Sequence, residues 1–248
     1  MRWIRGEWNW SRTPSVRHRH RLSRPYGNWI AAVQARGRIA ALGLGVTLAL
    51  ISQGCAADRV ANIVALGDSL TAGFNLPASA AFPAKLEEAL RAKGFAVAIA
   101  NAGVSGDTAS GGLARLDWSV PEGTDGVILE LGANDMLRGT DPNVTRAALE
   151  EIVRRLGERH VAVLLAGMRA IPNLGVQYVQ GFENIFPGLA AKYDLIYYPF
   201  FLEGIAGKPE FNQRDGLHPT AAGVDRIVAG ILPKAEELVM HLRDQKRD

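Results

Sequence analysis

A single cysteine, Cys55, stands among the 248 residues. That excludes an intramolecular disulfide framework and a Cys-cluster metal site. Too few residues are charged, and too many are apolar, for a disordered chain: 21% are charged and 48% hydrophobic. The apolar, uncharged stretch 39–52 holds 14 residues, short of the roughly 20 that a spanning helix needs. No His/Asp/Glu cluster shows metal spacing, and no internal repeat or linker breaks the chain after residue 58. The length fits one domain of about 200 residues, or two small ones, and the missing linker favours one.

Charge is present in both signs but unevenly placed. Residues 1–57 hold nine Arg and one acid, Glu7, a net of +8. Residues 58–248 hold 19 Lys and Arg against 24 Asp and Glu, a net of −5. The whole-chain +3 therefore belongs to the first segment, and so does its apparent pull on anionic partners. Arg36 and Arg38, then the apolar run, then small residues is the layout of an export signal. Cys55 and Ala57 at the −3 and −1 positions suit cleavage before Asp58. Ser52-Gln53-Gly54-Cys55 also approaches a lipoprotein box, which would tether the protein to a membrane through Cys55. An uncleaved anchor is the third alternative. The Arg/Trp-rich start, with Trp3, Trp8, Trp10 and Trp29, has the composition of a nucleic-acid segment, but its place directly before an export signal argues against that partner. The expected division is a leader over 1–57 and one folded domain over 58–248, exported to a periplasm or secreted.

From residue 62 onward, short Val/Ile/Leu runs alternate with amphipathic stretches. The runs 63–66, 97–100, 126–131, 161–166 and 195–197 suit parallel strands buried on both faces. Pro83 opens a helix that stops at Gly94. Asp141-Pro142 caps and starts a second, and Thr220 caps a third that Pro233 breaks or restarts. Strand then helix, five times over, predicts an α/β fold: one doubly wound, five-stranded parallel sheet with helices on both faces.

In such a fold the ligand site lies beyond the carboxyl ends of the strands. Gly67-Asp68-Ser69-Leu70 follows the first strand, Asn101–Asp107 the second, and Gly132-Ala133-Asn134-Asp135 the third. Asp215-Gly216-Leu217-His218 precedes the last helix. Taken singly, Ser69 reads as a helix N-cap, Gly103 as a turn glycine and Asn134-Asp135 as a turn pair. Together they supply acyl transfer. Ser69 is a nucleophile once a base takes its proton, and His218 is the side chain suited to that near neutral pH. Asp215 can bend back through Gly216 to orient the imidazole. The N–H groups of Ser69 and Gly103 and the amide of Asn134 are candidate oxyanion donors. Asp68 and Asp135 also offer carboxylates, but Asp68 reads as a residue that holds its own loop. His160 and His241 stand apart from any motif.

These four blocks, in this order, resemble those of the SGNH (GDSL) hydrolase family, within the branch called thioesterase I, lysophospholipase L1 or arylesterase. The resemblance spans about residues 62–240, including Gly106-Asp107-Thr108, Leu137-Arg138-Gly139 and Tyr193-Asp194. It implies a flavodoxin-like fold, no cofactor and no metal. It also implies Ser69, His218 and Asp215 as the triad, with Ser69, Gly103 and Asn134 as the oxyanion hole. The Gly-x-Ser-x-Gly elbow is missing, which disfavours the α/β-hydrolase fold. In the resembling branch the loop after the fourth strand helps line the acyl groove, and here it carries Met168, Ile171, Pro172 and Leu174. Phe200-Phe201-Leu202 extends that surface or joins the core. The expectation is a serine hydrolase of small acyl or aryl esters and thioesters, acting as a monomer or small homo-oligomer. The rivals are a carbohydrate O-acetyl esterase or acyltransferase on the same site, and a non-catalytic lipid- or glycan-binding protein that retained the fold.

Overall fold

The structure, a computed structural model, describes residues 59–245. The expected leader, its apolar run and Cys55 lie outside the described residues.

The five apolar runs form five strands: β1 Ala61–Gly67, β2 Val97–Gly103, β3 Gly126–Glu130, β4 Ala162–Ala166 and β5 Ile196–Tyr198. All pair in parallel, in the order β2-β1-β3-β4-β5. Every residue of β3 is buried, so both faces of the sheet must be covered. The helices are α1 Ser69–Ala72, α2 Phe82–Ala92, α3 Ala109–Ala114, α4 Leu116–Ser119, α5 Ala133–Leu137, α6 Pro142–Glu158, α7 Val176–Glu183, α8 Ile185–Tyr193 and α9 Ala221–Asp244. On one face α2 packs on β2 and α9 on β4 and β5, and the two helices meet each other. Helices α6 and α8 cover β4 from the other side.

Local chemistry sets the boundaries. Asp141 caps α6 by accepting the Asn143 N–H, with Pro142 at the first helical turn. Thr220 caps α9 by accepting the Gly223 N–H. Asp194 ends α8 in the left-handed conformation at φ 51°, which a short polar side chain tolerates. Tyr193, its neighbour in the resemblance motif, donates to Glu150 Oε1 on α6 at 2.9 Å.

Two expectations are corrected. Pro233 neither breaks nor restarts the last helix, and α9 runs through it to Asp244. Pro233 and Ala229, whose carbonyl loses its partner, both face solvent. Val224, Ile227, Val228 and Ile231 before the proline, and Ala235, Leu238, Val239 and Leu242 after it, are buried on one stripe. That stripe outweighs one missing hydrogen bond. Strands β1 and β2 also run past their apolar runs, pairing as far as Gly67 with Gly103. On the other side Gly67 pairs with Glu130. The three strands thus end level, where the strand order reverses between β1 and β3, and this is where an open parallel sheet binds its ligand.

Candidate active site

Ser69 is the first residue of α1, and Asp68 is its N-cap, accepting the Leu70 N–H at 2.9 Å. The strand-to-helix turn holds Ser69 nearly buried, at 8% exposure. Its Oγ lies 3.0 Å from His218 Nε2, although 149 residues separate the two. His218 Nδ1 lies 2.7 Å from Asp215 Oδ2. The other oxygen, Oδ1, accepts the backbone N–H groups of Leu217 at 2.9 Å and His218 at 3.0 Å. Those two N–H groups and the imidazole hold the Asp215 carboxyl down at about 2. Ionised at neutral pH, Asp215 fixes the imidazole with Nε2 turned to the serine.

The oxyanion donors divide differently from expectation. No group among the described residues accepts the Ser69 N–H. The Asn134 amide spends one hydrogen on Asp68 Oδ2 at 3.0 Å and keeps the other. Asn134 is presented by Gly132, which caps α5 at φ 117°, a left-handed conformation that favours glycine. Gly103 is different. Its only N–H donates to Asn101 Oδ1 at 2.9 Å, and its missing side chain serves packing, since a Cβ there would lie 2.2 Å from the Ala72 nitrogen. In the same loop Gly106, at φ 85°, has an N–H that no group among the described residues accepts. Its carbonyl takes Arg138 Nη2 at 2.7 Å, tying the loop to the end of α5.

Both tempting carboxylates are committed elsewhere. Asp135 is fully buried and accepts the Ala109 N–H at 2.8 Å and the Thr145 hydroxyl at 3.0 Å. It locks α5 to α3 and α6. Asp68 holds Leu70 and Asn134. Burial pushes its carboxyl up to about 6, against the lowering effect of those two donors. Since that lies above the ordinary 3.8, the folded chain holds more protons than the unfolded chain between about pH 4 and pH 6. Stability therefore falls as pH rises through that window. Asp68→Asn removes this ionisation, so its melting temperature relative to wild type rises across the window and levels off above about pH 7. A difference that stays constant with pH would mean that Asp68 does not carry the titration.

A cavity of about 210 Å³ opens at Ser69, lined by Leu70, Ala133, Asn134, Met136, Leu137, Leu202, Leu217 and His218. Met168, Ile171, Pro172 and Leu174 are not among its lining residues. Met168, two residues after β4 ends, is buried in the core at 4% exposure, and Leu174 packs against the core. A 3-10 turn over Pro172–Leu174 leaves Ile171 and Pro172 exposed. Phe200-Phe201-Leu202 is split: Phe201 is fully buried, while Leu202 walls the cavity. His160 and His241 are exposed.

Several residues at the site escaped sequence reasoning. The Phe74 ring lies 4.3 Å from the His218 ring at a 32° tilt. Gln213 Nε2 donates to the carbonyls of Phe74 at 2.8 Å and Pro219 at 2.9 Å, strapping the two loops together. The buried Arg115 guanidinium donates to the carbonyls of Gly67 and Ala102, both at 2.8 Å, and to Asp107 Oδ2 at 2.5 Å. Among the described residues no group of three His, Asp or Glu side chains could hold a metal ion. No described helix is long and apolar enough to cross a membrane.

Comparison with known proteins bears on this arrangement. The model of the GDSL-like Lipase/Acylhydrolase family matches residues 65–226. An arylesterase of Vibrio mimicus is 39% identical over 181 residues, covering 73% of this chain and 89% of the relative. Thioesterase 1/protease 1/lysophospholipase L1 of Escherichia coli is 37% identical over 180 residues, covering 72% and 85%. The crystal structure of AlinE4, an SGNH-hydrolase family esterase, superposes with a TM-score of 0.62 at 44% identity, covering 72% of this chain and 96% of that one.

Proposed function

The chain belongs to the GDSL-like lipase/acylhydrolase family and is a serine esterase or thioesterase, and on that premise we propose that Ser69, His218 and Asp215 carry its reaction. The observation that carries this reading is the unbroken relay from Asp215 Oδ2 through His218 to Ser69 Oγ, with separations of 2.7 and 3.0 Å. His218 takes the hydroxyl proton as Ser69 attacks the acyl carbon. The C–O or C–S bond then breaks as His218 returns that proton to the leaving group, and an acyl-Ser69 ester remains. Water, deprotonated by the same imidazole, releases the acid and regenerates Ser69.

The negative charge that develops on the carbonyl oxygen needs donors fixed in advance. We assign these to the Ser69 N–H, the free hydrogen of the Asn134 amide and the Gly106 N–H. Gly103, already committed to Asn101, falls away. In this reading the acyl or aryl group occupies the cavity at Ser69, whose walls of Leu70, Met136, Leu137, Leu202 and Leu217 suit a short apolar group. On the same reading residues 58–248 form the hydrolase domain and 1–57 an export leader, so the working enzyme is the acidic portion of the chain.

The test is a panel of p-nitrophenyl esters and acyl-CoA thioesters of increasing chain length, assayed with wild type and with Leu202→Ala. Trimming the cavity wall shifts kcat/KM toward the longer acyl groups, relative to the short ones, by roughly 3- to 10-fold. An unchanged chain-length profile would place the acyl group elsewhere.

A further inference from the structure

Glu130 ends β3 as a fully buried side chain that the reaction described above does not use. Its Oε2 accepts the Thr71 hydroxyl at 2.7 Å and the Asp68 N–H at 3.4 Å. Asp68 immediately precedes Ser69 and Thr71 stands two residues after it, so one carboxyl oxygen grips the turn on both sides of the nucleophile. Thr71 is itself fully buried, and this hydroxyl contact ties the underside of α1 to the sheet.

Gly67 is shaped to this contact. A Cβ there would lie 2.1 Å from Thr71 Oγ1 and 2.6 Å from Glu130 Oε2. Glycine at the end of β1 thus makes the room in which the Glu130 carboxyl and the Thr71 hydroxyl meet, under the residue that attacks. Burial and the neighbouring Asp68 carboxylate push the Glu130 carboxyl well above the ordinary 4.5. Its other oxygen, Oε1, is buried with no hydrogen-bond partner. An apolar side chain would bury no such group and would cost less to enclose. The polar residue is retained at a point where packing alone would not ask for one.

We propose that Glu130 is a positioning residue for Ser69: through Thr71 and Asp68 it fixes the turn that aims Oγ at His218 and leaves the Ser69 N–H turned to the substrate. The inference rests on Ser69 being the nucleophile. It predicts a loss that falls on kcat and not on KM, because the turn is needed in the transition state and the apolar cavity is untouched.

Four variants test it, each assayed on a short p-nitrophenyl ester and titrated with a fluorophosphonate to count reactive serines. Glu130→Gln keeps the shape and an acceptor oxygen, and should stay within about threefold of wild type in kcat. Glu130→Leu removes the acceptor and should lower kcat by roughly 10- to 100-fold, with KM within about twofold and a matching fall in the labelling rate. Thr71→Val, which keeps the shape but loses the hydroxyl, should move kcat in the same direction while Thr71→Ser restores it. If Glu130→Leu fails to fold, the Thr71 pair carries the test. Wild-type kcat in both Glu130→Leu and Thr71→Val would overturn the proposal, as would a loss in Glu130→Gln equal to that in Glu130→Leu. Loss of labelling in Ser69→Ala separates the two readings: labelling that survives there defeats the nucleophile assignment, whatever the Glu130 variants do.

Discussion

Ser69→Ala is expected to lower kcat on ester and thioester substrates by roughly 10⁴- to 10⁶-fold and to abolish phosphonate labelling. The size follows from what the side chain supplies. Without Oγ there is no covalent intermediate, and the oxyanion donors can act only on direct attack by water, which retains a small fraction of the rate. Folding should be unaffected, because Ser69 begins α1 and the cap belongs to Asp68. The Ser69 hydroxyl is bonded to His218, so the substitution leaves Thr71, Asp68 and the β1 end in place. His218→Ala should cost a similar factor, and the double variant should be little worse than either single one, since the two groups act on one proton. Steady-state kinetics on all three proteins decide the matter. A double variant whose losses multiply would show that the residues act in separate steps, and a Ser69→Ala rate above about 1% of wild type would remove Ser69 as nucleophile.

That Ser69, His218 and Asp215 meet could be read from the sequence because a parallel sheet delivers every post-strand loop to one edge. Gly67-Asp68-Ser69 and Asp215-x-x-His218 needed only to follow the right elements. The glycine proposed for the oxyanion hole was harder to place, for a reason visible in β2. The apolar signal fades after Ala100, which leaves Gly103 in a loop with a free N–H. Pairing in fact continues to Gly103 opposite Gly67, and Asn101 folds back onto the Gly103 N–H. Which glycine keeps a free donor is decided by where pairing stops, and hydropathy does not record that. Met168 misleads in a related way, because the first side chains after β4 still follow the strand into the core. Glu130 lies inside the run 126–131, where nothing local marks it out, and its role shows only once the Asp68–Thr71 turn folds over its carboxyl. Phe74 and Gln213 leave no local signal, since their partners lie across the fold on other loops.

Asn134→Ala should lower kcat by roughly 10²- to 10³-fold with KM nearly unchanged. The ground-state carbonyl gains little from the amide, whereas the oxyanion that forms from it gains a hydrogen bond to a donor held in place beforehand. Two features hold that donor. Gly132 sets the turn into α5, and Asp68 Oδ2 takes one amide hydrogen at 3.0 Å, which fixes the plane of the side chain and directs the other outward. The same contact works in reverse on Asp68, because the Asn134 amide lowers its carboxyl. Removing the amide should raise Asp68 further above about 6, so that the buried carboxyl is protonated over more of the acidic range. Asn134→Asp should be worse than Asn134→Ala: it removes the donor and sets a second carboxylate against Asp68, opposing the charge that the reaction must create. The check is kcat and KM for the three proteins between about pH 5 and pH 9, with thermal melts beside them. Losses confined to KM, or an Asn134→Asp variant as active as Asn134→Ala at alkaline pH, would show that Asn134 shapes the pocket without stabilising the transition state.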